Sequence, residues 1–218
     1  MILAPSISHA EYQTDVILHE RYFSDRLPAL VVEVGAADPV YLSMTAMWRE
    51  LGCPCVCIEP NPIFAARHRA AGHDIREVAI SDHHAEAEEF TLIERTPNTD
   101  HLTYECGSAL QPLPSSSQGY MSDAKRHQIL VKVRTLDSLA LGHIDLLIVD
   151  VEGGELAVLR GLTDNPDVIV LENIADQAVY EDYEPYMRGR GYRLDHTVKH
   201  NQIYVGAAGL TRRKAVTQ

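Results

Sequence analysis

Positive charge is scarce in this chain: Lys and Arg number 19 against 31 Asp and Glu, a formal net charge of -12 at pH 7. A surface built to neutralise phosphates needs the opposite balance, so nucleic acid is excluded as the expected partner. Long hydrophobic runs are missing as well. No window approaches the roughly 18 apolar residues of a membrane span, and the N-terminus has no basic stretch followed by the apolar core of a leader peptide. No membrane association is expected, and the expected location is cytoplasmic. Aromatic residues are thin at 6%, with 1 Trp and 3 Phe. Cysteines number 4: Cys53, Cys55 and Cys57 alternate along one predicted strand, and Cys106 stands alone in a polar stretch. Three thiols on one strand face could share a metal, but small buried hydrophobes in a reducing compartment are the plainer expectation. The short basic end Arg212-Arg213-Lys214 reads as a solvated terminus.

What is present fits one α/β domain: 218 residues, 45% of them hydrophobic, can bury a sizeable core. We assign residues 1–218 to that single domain. Residues 1–28 carry a helical pattern (Tyr12, Val16, Ile17, Tyr22, Phe23) expected to pack over the sheet edge or a cofactor. Alternation follows: strand Leu30 to Val34, helix Leu42 to Leu51, strand Cys55 to Glu59, helix Pro62 to Ala71, strand Ile75 to Ile80. Short strands alternating with helices of about ten residues predict a doubly wound, mostly parallel sheet. Glu88 to Ile93 and Ile129 to Arg134 read as further strands, flanking a stretch from Thr96 to Gln128 rich in Pro, Ser, Gly, Asn and Asp. A loop of that length is uncommon inside a compact domain unless it works, so residues 96–128 are read as a lid or substrate loop. The rhythm resumes with strand Ile144 to Val149, helix Gly154 to Gly161, strand Val168 to Leu171 and helix Asp176 to Arg190, and the chain closes on an antiparallel hairpin around Lys199-His200-Asn201.

Acids stand where these strands end. Glu33 precedes Gly35 in the first, Glu59 ends the second, Asp150 follows Ile144 to Val149, and Glu172-Asn173 follows Val168 to Leu171. In an open parallel sheet those positions share one edge, so their side chains converge on one crevice. Gly35 with Ala36 lets backbone approach a ligand, and Glu33 either orients that loop or accepts from a cofactor ammonium. Glu59, fixed by Pro60-Asn61-Pro62, has the place from which a carboxylate accepts two hydrogen bonds from a ribose diol. A dinucleotide fingerprint is not met, since Ala37 and Val40 occupy its later glycine positions. Asp150 with Glu172 and Asn173 offers hard oxygens suited to Mg²⁺ or another divalent cation such as Ca²⁺. Glu155 reads either as a capping-region acid or as part of the site.

These residues together resemble the FkbM family of S-adenosylmethionine-dependent methyltransferases. The likeness runs from about Tyr12 to Val205 through Val32-Glu-Val-Gly-Ala, Ile58-Glu-Pro-Asn-Pro, Ala79-Ile-Ser, Thr135-Leu-Asp, Ile144-Asp-Leu-Leu-Ile-Val-Asp-Val-Glu-Gly-Gly-Glu-Leu and Val170-Leu-Glu. The Asp150-Val-Glu-Gly-Gly-Glu155 block is its most specific part. The resemblance implies a class I, Rossmann-like fold with a terminal antiparallel hairpin, S-adenosylmethionine as cofactor, and methylation of a hydroxyl on a sugar, polyketide or other natural product. Carried onto this sequence, cofactor binding falls to Glu33, Gly35, Ala36, Glu59, Pro60, Asn61, Ile80, Ser81 and Asp150. Glu172-Asn173 also looks like the Asp-Asn pair of metal-dependent O-methyltransferases such as catechol O-methyltransferase. The expected metal set is Asp150, Glu172 and Asn173, and the expected catalytic set is Asp150, Glu152 and His200, with Glu152 or His200 as the base. Two departures stand out: Ala37-Asp38-Pro39 replaces the family's usual Asn-x-Gly loop, and Ile148 stands where a Lys is common. They keep a second reading in play, a non-catalytic scaffold of methyltransferase fold. The chain is also compatible with self-association into a homo-oligomer.

Overall fold

The structure, a computed structural model, describes residues 7–94, 110, 125–173 and 182–212. Five short strands, β1 (Val31–Val34), β2 (Cys55–Ile58), β3 (Asp74–Arg76), β7 (Leu146–Val149) and β8 (Val168–Glu172), run parallel in one sheet, all mainly apolar but for the edge strand β3. The hairpin β9 (Arg193–Val198) and β10 (Asn201–Val205) completes it, with β10 antiparallel to both β8 and β9. The strand order is β3-β2-β1-β7-β8-β10-β9. Chain order reverses between β1 and β7, which opens the crevice of a doubly wound sheet there. The expected sheet, mostly parallel with an antiparallel hairpin at its end, is the one found.

The parallel strands read as unbroken apolar runs because helices cover both faces. On one face Val32, Val34, Val56, Ile58, Leu147 and Val149 pack with Val158 and Leu159 of α4 (Glu155–Arg160) and Met187 of α5 (Glu184–Gly189). On the other, Val31, Leu146, Ile148, Val168 and Val170 meet Leu18 of α1 (Thr14–Leu18), Tyr22 and Phe23 beyond it, and Met47 and Trp48 of α2 (Ala46–Glu50). Phe23 meets Trp48 edge-on with centroids 5.5 Å apart, a favoured aromatic geometry. Ile148 is thus core, which accounts for an apolar residue at that position. Cys53 and Cys57 are buried and Cys55 is half-buried, all with free thiols, and burial pushes Cys53 up to about 11 and Cys57 up to about 12. They behave as buried hydrophobes.

Three expectations are corrected. The predicted strand Ile75 to Ile80 is two strands in two sheets: β3 belongs to the main sheet, whereas β4 (Ala79–Ile80) pairs with β6 (Lys125–Arg134), itself antiparallel to β5 (Ala85–Glu94). Polar residues hid the length of β5 and β6, because Glu86, Glu89, Lys125, Arg126 and His127 project to solvent while Phe90, Leu92, Val131 and Val133 form their own small core. Lys125 to Gln128, assigned to the lid by sequence, is strand; the rest of that loop lies outside the described residues apart from Leu110, as do 176–181 of the predicted helix Asp176 to Arg190 and Arg213-Lys214 of the basic end. Finally, α2 begins at Ala46 rather than Leu42, because Leu42 adopts a φ of +57° and Thr45 is held as the N-cap. A third short helix on this side, α3 (Pro62–Ala70), starts with Asn61 as N-cap, its side chain accepting from the Ile63 N–H at 3.0 Å, and Pro62 in the first turn, where the missing N–H costs nothing. The last element is α6 (Ala207–Arg212).

Candidate active site

Parallel register brings the key strand ends together. Val34 lies opposite Val149, so Gly35 and Asp150 emerge side by side, and Asp150 N–H donates to the Val34 carbonyl at 3.0 Å. Gly35 and Ala36 N–H both donate to the Ile58 carbonyl, at 2.9 and 3.1 Å, bending the chain across β2. Gly35 has φ +86°, and a Cβ on it would stand 1.7 Å from the Asp150 carbonyl oxygen. Only glycine fits there. The result is an open cleft of about 1210 Å³, solvent at its mouth included.

Of the predicted cofactor residues, Glu33, Gly35, Ala36, Glu59, Pro60, Ile80, Ser81 and Asp150 line this cleft. Asn61 does not; its side chain is spent on capping α3 while its N–H donates to Glu59 Oε1 at 2.8 Å. Glu59 Oε2 accepts from the Ala37 N–H at 2.9 Å. Each oxygen keeps a further lone pair, and burial pushes this carboxyl up to about 7. Glu33 orients the loop: Oε1 accepts from the Met44 N–H at 3.0 Å and Oε2 from the Thr45 hydroxyl. Burial, opposed by these bonds, leaves it raised to about 7. The unusual Ala37-Asp38-Pro39 segment is braced by other means. Asp38 accepts from Val40 and Tyr41 N–H and pairs with Arg67 at 2.6 Å, Arg49 donates to the Pro39 carbonyl, and the His68 Nε2 sits 3.2 Å from the Ala37 carbonyl.

The acids of the β7 and β8 ends gather differently from expectation. Carboxylate oxygens of Asp150, Glu152 and Glu172 lie within 4.8 Å of one another. Glu152 joins the two acids foreseen, while Asn173, the other expected ligand, is buried, donates its backbone N–H to the His200 carbonyl at 2.7 Å and is not among the residues that line the cleft. Glu152 has φ +59°, a strained setting for a non-glycine residue of the kind that clusters at functional sites. Burial, then the charge of Asp150, pushes Glu172 far above the usual carboxylate range, and burial raises Asp150 too. Like charges this close hold a proton between them. His200 sits at the hairpin turn against the Tyr12 ring, with centroids 6.0 Å apart, and does not line the cleft.

Five participants escaped the sequence, and a sixth was left open there. Glu155, open to two readings there, organises the Asp150–Gly154 turn: Oε1 accepts from Val151 and Gly153 N–H, both at 3.2 Å. The Tyr183 hydroxyl lies 3.0 Å from both Glu155 Oε2 and the Glu172 carbonyl, and nothing in the local sequence signalled it. Asn201 lines the cleft because it pairs with Glu172 across β8 and β10, a placement that hairpin register could have supplied. Glu11, Tyr41 and Leu42 also line it; an acid and two apolar side chains without periodic neighbours carry no sequence signal.

A seven-stranded sheet of this order, with a glycine turn after β1 and an acid after β2, is the Rossmann-like architecture of a methyltransferase. Residues 33–194 match the methyltransferase FkbM domain, and the chain belongs to that family. A solved structure, Methyltransferase FkbM from Methylobacillus flagellatus KT, is similar at 15% identity with a TM-score of 0.49, covering 88% of this chain and 50% of that one. The chain therefore spans half the length of that protein. No curated protein matches it. No helix among the described residues is long and apolar enough to cross a membrane.

Proposed function

We propose that this protein is an S-adenosylmethionine-dependent O-methyltransferase acting on a hydroxyl of a small molecule. The observation that carries the reading is the cradle at the β1 and β2 ends: Gly35 fits against the Asp150 carbonyl with no room for a Cβ, and Glu59 is buried with its carboxylate on the cleft. That donor set fits the group. Glu59 would accept from the ribose hydroxyls, Gly35 and Ala36 would bring backbone against the methionine part, and Pro60, Phe64, Val78, Ile80 and Ser81 would flank the adenine. When bound, the cofactor supplies an electrophilic methyl on sulfonium; attack by the acceptor oxygen forms the C–O bond, and the C–S electron pair stays on sulfur. The chain's own part is to hold both molecules in line, exclude water and take the hydroxyl proton. Glu152 is the candidate base, since its carboxylate stands with those of the cleft-lining Asp150 and Glu172, although neither Glu152 nor His200 is itself among the residues that line the cleft.

Three clustered carboxylates also suit a hard divalent cation such as Mg²⁺, which would lower the acceptor hydroxyl's pKa. Asp150, Glu152 and Glu172 would hold it. Calorimetric titration with S-adenosylhomocysteine, with Mg²⁺ and again after chelation, tests the division of labour. Binding in both conditions, lost in Glu59→Ala and kept in Glu172→Ala, is expected. Absence of binding in either condition would favour the non-catalytic scaffold, and equal loss in both variants would refute the separate roles.

A further inference from the structure

The cleft has an uneven chemistry. Its ionisable lining includes Glu11, Glu33, Glu59, Asp150 and Glu172, and no arginine, lysine or histidine lines it among the described residues. Glu33 and Glu59 belong to the cofactor half, at the β1 and β2 ends. Glu11 belongs to the other half: the ring of the adjoining Tyr12 packs against His200 with centroids 6.0 Å apart, and the next residue, Asn201, pairs with Glu172 across β8 and β10. If a divalent cation sits among Asp150, Glu152 and Glu172, its two charges leave those three carboxylates still negative, and Glu11, hydrogen-bonded to the neutral Tyr12 hydroxyl, adds a further negative charge.

Glu11 is held in place by a rigid local structure. Asp15, wholly buried, accepts from the Ser8 hydroxyl at 2.5 Å and from the N–H groups of His9, Ala10 and Val16 at 3.0, 3.3 and 2.8 Å. Ala10 forms a bridge with Leu42. Tyr12 and Gln13, next in the chain, take φ of +53° and +59°, conformations that persist only where the surroundings enforce them. Lys199 does not line the cleft; its Nζ lies over the Tyr12 ring, 5.8 Å from the centroid. Both Glu11 and Asn201, which line the cleft, lie outside the 33–194 span shared with the family.

We infer that Glu11 is a specificity residue of the acceptor half, and that this half takes a donor-rich, cationic acceptor, an aminated polyol, and rejects carboxylated ones. Glu11 accepts from the acceptor's ammonium, the carboxylate cluster faces its hydroxyls, and Tyr41 with Leu42 cover its apolar side. An anionic acceptor would meet surplus negative charge with no cationic side chain lining the cleft among the described residues, and the chain's net charge of -12 repels it on approach. The inference rests on the methyltransferase reading above.

The test uses the full chain saturated with S-adenosylhomocysteine in Mg²⁺ buffer, titrated with glucosamine, glucose and glucuronate, which share a ring and differ in charge. Binding is followed by saturation-transfer NMR. Glucosamine should bind at least about tenfold more tightly than glucuronate, with glucose between. Glu11→Gln should shrink that ratio at least about threefold, Glu11→Asp should retain it, and neither should alter S-adenosylhomocysteine affinity. Glucuronate binding as well as glucosamine, no binding of any of the three, or an unchanged ratio in Glu11→Gln would overturn the inference. S-adenosylhomocysteine binding in the same samples then leaves the methyltransferase reading standing, whereas its absence sinks both.

Discussion

Replacing Glu59 by Gln should remove a specific slope from the dependence of stability on pH. Burial lifts this carboxyl from 4.5 to about 7 in the folded chain, so between those values the folded state binds more protons than the unfolded one. Stability from this group is therefore greatest below about pH 4.5 and declines as pH rises toward about 7, after which it is level. At about 1.36 kcal/mol per pKa unit the loss comes to about 3 kcal/mol. Gln mimics the protonated acid: it keeps one oxygen for either the Ala37 or the Asn61 N–H and cannot titrate. Glu33, raised for the same reason, contributes a similar slope to both proteins, and the difference between them cancels it. Urea unfolding at several pH values from about 4.5 to 8 measures that difference. Wild type minus variant should fall by about 3 kcal/mol across the window. A difference that stays flat would refute the argument, since it would mean that the two backbone N–H donors hold the charged form as well as water does. Ribose hydroxyls donating to the same oxygens favour the carboxylate, so S-adenosylhomocysteine should bind more tightly as pH rises toward 7, by up to about tenfold per unit.

Gly35→Ala should cost more than the about 1–2 kcal/mol of a left-handed backbone, because its Cβ meets the Asp150 carbonyl; Gly153→Ala, at φ +106° with nothing within 4 Å, isolates the conformational part in thermal unfolding. Tyr183→Phe leaves Glu155 Oε2 and the Glu172 carbonyl short of a donor and should destabilise by about 1–3 kcal/mol, with cofactor affinity retained in calorimetry. Thr45→Val removes the hydroxyl that donates to Glu33. It should lower stability by about 1.5–3 kcal/mol at pH 8, where Glu33 is ionised, and by less at pH 5.

Strands β1, β2, β7 and β8 were readable because burial on both faces makes each a continuous apolar run closed by an acid. The same rule failed for β5 and β6, whose outer faces carry Glu, Lys, Arg and His, and for β3 and β4, where one apparent run serves two sheets. Site residues at strand ends could be placed from chain order alone: Glu59 and Asp150 follow from the parallel sheet. Asn61 and His200 could not, since a turn residue's side chain is directed by local hydrogen bonds rather than by the sheet's periodicity. Glu152 was foreseen as a base but not as the third acid beside Asp150 and Glu172, because that depends on a positive φ. Glu11 and Tyr183 reach the site from segments distant in sequence, and only tertiary packing brings them there.

The contact between Gly35 and the Asp150 carbonyl has a mechanical consequence. Two loops to which the proposed function gives separate duties, one toward the cofactor and one toward the acceptor, meet where Gly35 packs on the Asp150 carbonyl and the Asp150 N–H donates to the Val34 carbonyl. A shift of either is transmitted to the other without any side chain in between. A cofactor seated against Gly35, as the proposed function has it, would thus also set the height of Asp150 and, through the short turn that Glu155 holds, of Glu152. The acceptor side would reach its working shape only after the cofactor side is filled, which makes cofactor-first the natural order of assembly.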